Sequence, residues 1–297
     1  MVPIPVPHGE AQPAREAKTE FEITKPGLSR LKYAVYVIRE DRSYDEVLGD
    51  LTVSGGDPEV VLHRTHDQAY GDAPMGNGDP TLVRYGLRET PNAHKLARDF
   101  VILDDFRCQG ESWAEGRSWC ESACPLADKP AAGLVELCRR RHVACAQYGD
   151  KETGSNGDVA EAFVRDLGNA ERSGEFPRLT VVSLPEESEA ASDAAIGRIA
   201  EAVSHSKIWP DTVVFVADAA VVGKDHVDGR RGVCLVASPY AARGTVDGNR
   251  YTSVSVVRTI ELILGLPPMT RYDAQATPMF SCFTDRPDFT PFDAARP

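Results

Sequence analysis

Short stretches of this sequence put carboxylates, a hydroxyl and imidazoles where a fold could make them react. Glu40-Asp41-Arg42-Ser43-Tyr44-Asp45 follows the apolar run Tyr33–Ile38, and Thr90-Pro91-Asn92-Ala93-His94 reads as the start of a helix. Asp225-His226-Val227-Asp228 flanks an imidazole with carboxylates, and Glu187 and Asp218 each follow another apolar run. Carboxylates and imidazole that converge can hold divalent cations, which acidify a hydroxyl such as that of Thr90 into a nucleophile. Without a cation, a crowded carboxylate or a carboxylate-flanked histidine serves as general acid or base. Each group also has an ordinary role. Thr90 before Pro91 is a helix N-cap signature. Glu186, Glu187 and Glu189 suit the first turn of a helix. His226 could be a loop histidine held by its acidic neighbours.

The elements that must position these groups alternate between strand and helix. Tyr33–Ile38 is short and nearly all apolar, as in a strand buried on both faces. Strands are expected at 59–63, 100–103, 143–147, 179–184, 212–216 and 233–237. Helices are expected from Thr90 for about ten residues, and over 131–141, 158–169, 188–205 and 253–264, the last stopped by Gly265 and Pro267-Pro268. This order implies an α/β fold with a mainly parallel sheet and helices on both faces. Reactive groups in such folds lie on loops beyond the carboxyl ends of strands. Residues 1–30, rich in proline and charge, read as an extended N-terminal arm. Residues 31–283 read as a single domain and 284–297 as a C-terminal tail.

The bulk numbers exclude some functions. A hydrophobic content of 42% in 297 residues supports a substantial core. A formal charge of −12 argues against binding nucleic acid or an anionic membrane surface. No apolar run is long enough for a membrane span. The start, Met1–His8, has neither a basic region nor a long apolar one, so the cytoplasm is the expected location. The seven cysteines include Cys120, Cys124, Cys138 and Cys145, which with His142 could make a zinc site. Their spacing fits no common finger or ribbon, and small buried hydrophobes are the preferred reading.

Taken together, these motifs resemble the bacterial phosphoesterases of phospholipase C and acid phosphatase type, within the alkaline phosphatase superfamily. The resemblance rests on Glu40–Asp45, Gly76-Asn77-Gly78-Asp79-Pro80, Thr90–His94, Asp225–Asp228, Ser238-Pro239-Tyr240-Ala241 and Val257–Met269, and spans roughly residues 31–283. It implies an alkaline phosphatase-like core and hydrolysis of phosphate mono- or diesters of a small-molecule substrate. Thr90 would be the nucleophile, with His226 also catalytic. Glu40, Asp218, His226 and Glu187 would ligate metal, and Asp41, Asn92, Asp105 and Arg117 would face the substrate.

The sequence departs from the family where ligands are needed. Ser188 stands in place of an imidazole ligand, and Ala217-Asp218-Ala219-Ala220 in place of a tract with two aspartates. Two cofactor states therefore stand side by side: one divalent metal (zinc, manganese, calcium or magnesium), or none. Three functions follow. The first is a phosphoesterase with an eroded metal site. The second is a repurposed, metal-independent enzyme of a specialised biosynthetic pathway, using clustered carboxylates and His226. The third is a non-catalytic binding protein.

Overall fold

The computed structural model describes residues 28–39, 42–51, 63–64, 77–128, 133–149, 154–184 and 187–296. Most of the expected arm (1–27), the tract 52–62, and the candidate site residues Glu40 and Asp41 lie outside the described residues.

The fold is α/β. The strands are β1 (Tyr33–Arg39), β2 (His63–Arg64), β3 (Val101–Leu103), β4 (Phe106–Arg107), β5 (Cys145–Tyr148), β6 (Leu179–Ser183), β7 (Thr212–Asp218), β8 (Cys234–Ala237), β9 (Thr245–Asp247) and β10 (Tyr251–Thr252). Among the described residues eight of them form one sheet, in the order β2-β9-β3-β8-β7-β1-β6-β5, and β10 pairs with β4 apart from it. All pairs in the large sheet are parallel except those made by β8.

β1 lies inside the sheet, between β6 and β7, and shows why the sheet needs two covers. Side chains alternate along a strand, so Ala34, Tyr36 and Ile38 enter one core while Val35 and Val37 enter the other. The helices are α1 (Tyr44–Leu48), α2 (Pro91–Asp99), α3 (Trp113–Ser122), α4 (Leu134–Arg140), α5 (Asn156–Ser173), α6 (Glu189–Ser204), α7 (Ser253–Leu264) and α8 (Arg271–Gln275). The core around Tyr36 takes its apolar residues from α3, α4 and α7. The core around Val35 takes them from α1, α2, α5 and α6. No helix among the described residues is long and apolar enough to cross a membrane.

Local chemistry sets the ends. Helix α5 is longer than its apolar spacing predicts because Ser155 and Asp158 form a capping box and Gly174 closes it at φ +78°. The Ser188 side chain caps α6 by accepting from the Ala191 amide. Helix α3 is hidden in the sequence because Gly116 weakens its helical pattern. That glycine is required by packing: a Cβ there would lie 2.0 Å from the Ala219 carbonyl oxygen. Within the expected C-terminal tail, Phe292 is buried against Phe100.

Helix α7 is buried along its whole length and carries Glu261 inside. Burial and the neighbouring Asp273 outweigh the Arg258 guanidinium at 3.1 Å and push its carboxyl up to about 9. A carboxyl raised on folding stabilises fully below its unfolded value, and that contribution is lost as pH rises toward the folded one. Glu261→Gln should therefore gain on wild type between about pH 5 and about pH 8.5, by about 2 kcal/mol or more at the upper end. Urea unfolding at both pH values measures it; parallel stabilities for the two proteins would refute it.

Candidate active site

The carboxyl ends of the central strands deliver the first cluster. Parallel pairing of β1 with β7 sets Arg39 beside Asp218. Arg39 Nε donates to Asp218 Oδ1 at 2.6 Å and Nη1 to Glu189 Oε1 at 2.5 Å. Asp218 Oδ2 accepts from the Val233 amide at 2.7 Å. Arg42 Nε lies 3.6 Å from the second oxygen of Glu189. Burial drives the Asp218 carboxyl up to about 7, although Arg39 and the Val233 amide oppose the rise. For the Arg39 guanidinium, burial disfavours the charge, but Asp218 and Glu189 outweigh it and raise its pKa.

The second cluster surrounds His226. Its Nδ1 lies 2.7 Å from Asp45 Oδ2, and its backbone N–H donates to the same oxygen at 2.7 Å. Nε2 is 3.3 Å from Asn77 Oδ1. Asp45 Oδ1 accepts from the Asp79 amide at 2.9 Å and from Arg231 Nη2 at 2.8 Å. Arg231 Nε also reaches both oxygens of Asp225, at 3.0 and 2.9 Å. Asp45, Asp225 and Arg231 side chains are fully buried, whereas the imidazole is 32% exposed. The tract 77–79 runs across this cluster as backbone. Gly78 rests on Gly49, where a Cβ would lie 2.6 Å from the Gly49 carbonyl oxygen, so a side chain would lift the turn off Asp45.

The other expected residues lie as follows. Thr90 is fully buried, and its Oγ1 donates to the Tyr85 carbonyl at 2.6 Å, so its hydroxyl neither caps α2 nor points into open space. Asn92 is also buried. Its amide nitrogen donates to Asp193, and its oxygen accepts from the Ala295 amide in the C-terminal segment. Gly197 makes room for it: a Cβ would lie 2.4 Å from Asn92 Cγ. Asp105 is held by Arg107 and Arg250. Arg117 pairs with Glu121 one turn along α3. Glu187 accepts from the Asn156 amide at the start of α5. His94 is buried between Thr90 and Asp50. Arg39 and Arg231 have no site role in the sequence reading, Asp45 enters it only within the Glu40–Asp45 motif, and Glu189 only as a first-turn acid. For Arg39 a signal existed, since a charge ending a strand buried on both faces needs a partner.

Among the described residues, the set of three cation-type donors whose atoms lie within 4.8 Å of one another is Asp45, Asp225 and His226. Asp218 and Glu187 are not part of it. The lone pairs of its two carboxylates are already engaged. Both Asp45 oxygens accept as above. Asp225 Oδ1 also accepts from the Val227 and Asp228 amides, at 2.9 and 3.1 Å. The Arg231 guanidinium sits between the two carboxylates, so this donor set does not fit a divalent ion. All seven cysteines are free thiols, six of them buried and Cys145 partly so.

Solved structures with the same architecture were found. One is a protein in the alkaline phosphatase superfamily from Vibrio parahaemolyticus, 15% identical, with a TM-score of 0.56, covering 88% of this chain and 76% of that one. A second is the phosphonate monoester hydrolase of Agrobacterium radiobacter, 12% identical, with a TM-score of 0.52, covering 80% and 74%. A third was solved in complex with its substrate D-glucosamine-2-N,6-O-disulfate, 8% identical, with a TM-score of 0.58, covering 89% and 82%. The fold is alkaline phosphatase-like. No family model and no curated protein matches the sequence. On the alkaline phosphatase-like core, the carboxyl ends of the strands carry two clusters, each with a fully buried arginine among its carboxylates.

Proposed function

We propose that this protein is a metal-independent enzyme on an alkaline phosphatase-like core, acting on a small molecule with His226 as general base. The observation that carries the reading is the His226–Asp45 pair, joined at 2.7 Å with the imidazole 32% exposed. With Nδ1–H donated to Asp45, Nε2 takes a proton from water or a substrate hydroxyl when it turns from Asn77 Oδ1, an acceptor 3.3 Å away that cannot donate to it. Arg231, the Asp79 amide and the His226 amide all donate to Asp45, so its orientation is set before substrate arrives. A Thr90 nucleophile finds less support, because its hydroxyl is buried and donated to a carbonyl. Neighbours in fold act on phosphonate monoesters or are complexed with a sulfated sugar, so ester hydrolysis by base-activated water is the reaction class we assign.

Two probes test this. p-Nitrophenyl acetate should be hydrolysed above the buffer rate, and EDTA should leave that rate unchanged. Bis(p-nitrophenyl) phosphate should stay intact with or without added manganese or zinc. Metal-dependent cleavage of the phosphate diester, or loss of acetate turnover on chelation, would replace this reading with a metal-assisted phosphoesterase.

A further inference from the structure

Segment 288–296 forms neither helix nor strand, yet α2 and α6 hold it at several points. Pro287 and Pro291 favour an extended path, because proline fixes φ and has no amide to donate. Within the segment only Phe292 is buried, and the other side chains are exposed or partly so. The Phe292 ring packs against Phe100, with ring centres 6.5 Å apart, and Lys95 Nζ lies 4.9 Å from its centre.

The domain grips the rest of the segment by its main chain. Ser204 Oγ lies 3.1 Å from the Phe292 carbonyl and accepts from the Phe292 amide at 2.9 Å. Trp209 Nε1 donates to the Phe289 carbonyl at 3.2 Å, and Arg243 Nη2 to the Thr290 carbonyl at 2.7 Å. The Ala294 amide donates to Glu201 at 3.1 Å, and the Ala295 amide to Asn92 Oδ1 at 2.8 Å. One aromatic anchor, with side chains that hold main chain on either side of it, is how a groove takes an extended peptide. A stretch with a single buried side chain also opens at lower cost than the core does.

Asn92 ties this groove to the site face. It stands in the first turn of α2, and its amide nitrogen also donates to Asp193 of α6 at 3.0 Å. A docked segment therefore pins α2 to α6 two residues from Thr90.

We infer that the α2–α6 face is a peptide-docking groove for an extended segment with a phenylalanine anchor, and that residues 288–296 of this chain are its occupant, a clasp that releases and docks again. The inference does not depend on the role of His226.

A fluorescein-labelled peptide of residues 286–296 is titrated by anisotropy into the full-length protein and into full-length Phe292→Ala. In wild type the tethered segment competes at an effective concentration on the order of millimolar, so the peptide should bind weakly. Phe292→Ala lacks its own anchor. It should bind the peptide at least about tenfold more tightly, and bound peptide should raise its Tm toward wild type. A peptide carrying Phe292→Ala should not bind, and Ser204→Ala added to the Phe292→Ala protein should weaken binding of the native peptide. A folded Phe292→Ala that takes up no peptide, or takes both peptides alike, would overturn the inference. A second arm needs no Phe292 variant to fold. Wild type with a protease site placed in 284–287 is folded and then cut, and the cut segment should exchange for labelled peptide; a segment that never exchanges would overturn the inference too. Wild type that is dimeric and separates on cutting would overturn the in-chain assignment, giving the groove to the segment of a second copy.

Discussion

Arg231→Met is expected to cost about 3–5 kcal/mol of stability. The side chain is fully buried, and it touches more charged and polar partners than any simple counter-ion needs. Nε bonds both oxygens of Asp225, Nη2 bonds Asp45, and Nη1 donates to the Asn77 and Asp104 carbonyls at 2.5 and 3.2 Å. The guanidinium also stacks 4.4 Å from the centre of the Tyr44 ring. Methionine fills most of the volume and supplies none of this. Two buried carboxylates would then face each other without a cation, and the backbone turn at 77–79 would lose its anchor. For a domain of this size the loss corresponds to a fall in Tm of about 6–20 °C. Arg231→Lys keeps the charge but loses the fork, so it should fall in between. Adding Asp225→Asn to Arg231→Met removes one stranded charge and should recover part of the loss. A Tm within about 2 °C of wild type for Arg231→Met would show that the carboxylates tolerate each other without it.

How much of this was legible before the structure differs between fold and site. The architecture follows from apolar periodicity: Tyr33–Arg39, Leu179–Ser183 and Thr212–Asp218 are mainly apolar and, Tyr33 apart, buried. Elements were missed where that signal is short or broken, as in α1 and α8 with five residues each, or α3 with Gly116 inside it. The site was only partly legible, for a reason of distance along the chain. Arg39 lies 179 residues from Asp218 and 150 from Glu189, and no local spacing announces such pairs. Asp45 lies in a quoted motif, but its partner His226 is 181 residues away. Thr90 shows the converse. Its type and its place before Pro91 are right for a cap or a nucleophile, yet its rotamer is set by the Tyr85 carbonyl, which only the folded loop brings near.

The two arginines also change what the acidic clusters can do. Carboxylates without cations would repel any anionic substrate, by about 3 kcal/mol per charge at about 5 Å and an effective dielectric near 20. Arg39, Arg42 and Arg231 offset most of that charge from inside the protein. The clusters therefore carry little net negative charge of their own, and in the reading proposed above the proton chemistry belongs to the exposed imidazole of the second cluster.

For that reason His226→Gln is expected to lower kcat/KM for p-nitrophenyl acetate by about 10²–10⁴. Glutamine can still donate to Asp45, so the local hydrogen bond survives while the base does not. The imidazole is 32% exposed and belongs to no apolar core, so the Tm should move by only about 1–3 °C. The loss should appear in kcat rather than in KM, because the group acts on the proton in flight and not on the bound ester. His226→Gly removes the ring and leaves a space, and added imidazole should restore part of the rate there. Rescue separates a base from a structural histidine, since a loop held open by a missing side chain gains nothing from free imidazole. Unchanged turnover in His226→Gln would remove the dyad from the mechanism. A matching collapse of Tm and rate, with no rescue, would reassign His226 to holding Asp45 and the 77–79 turn in place.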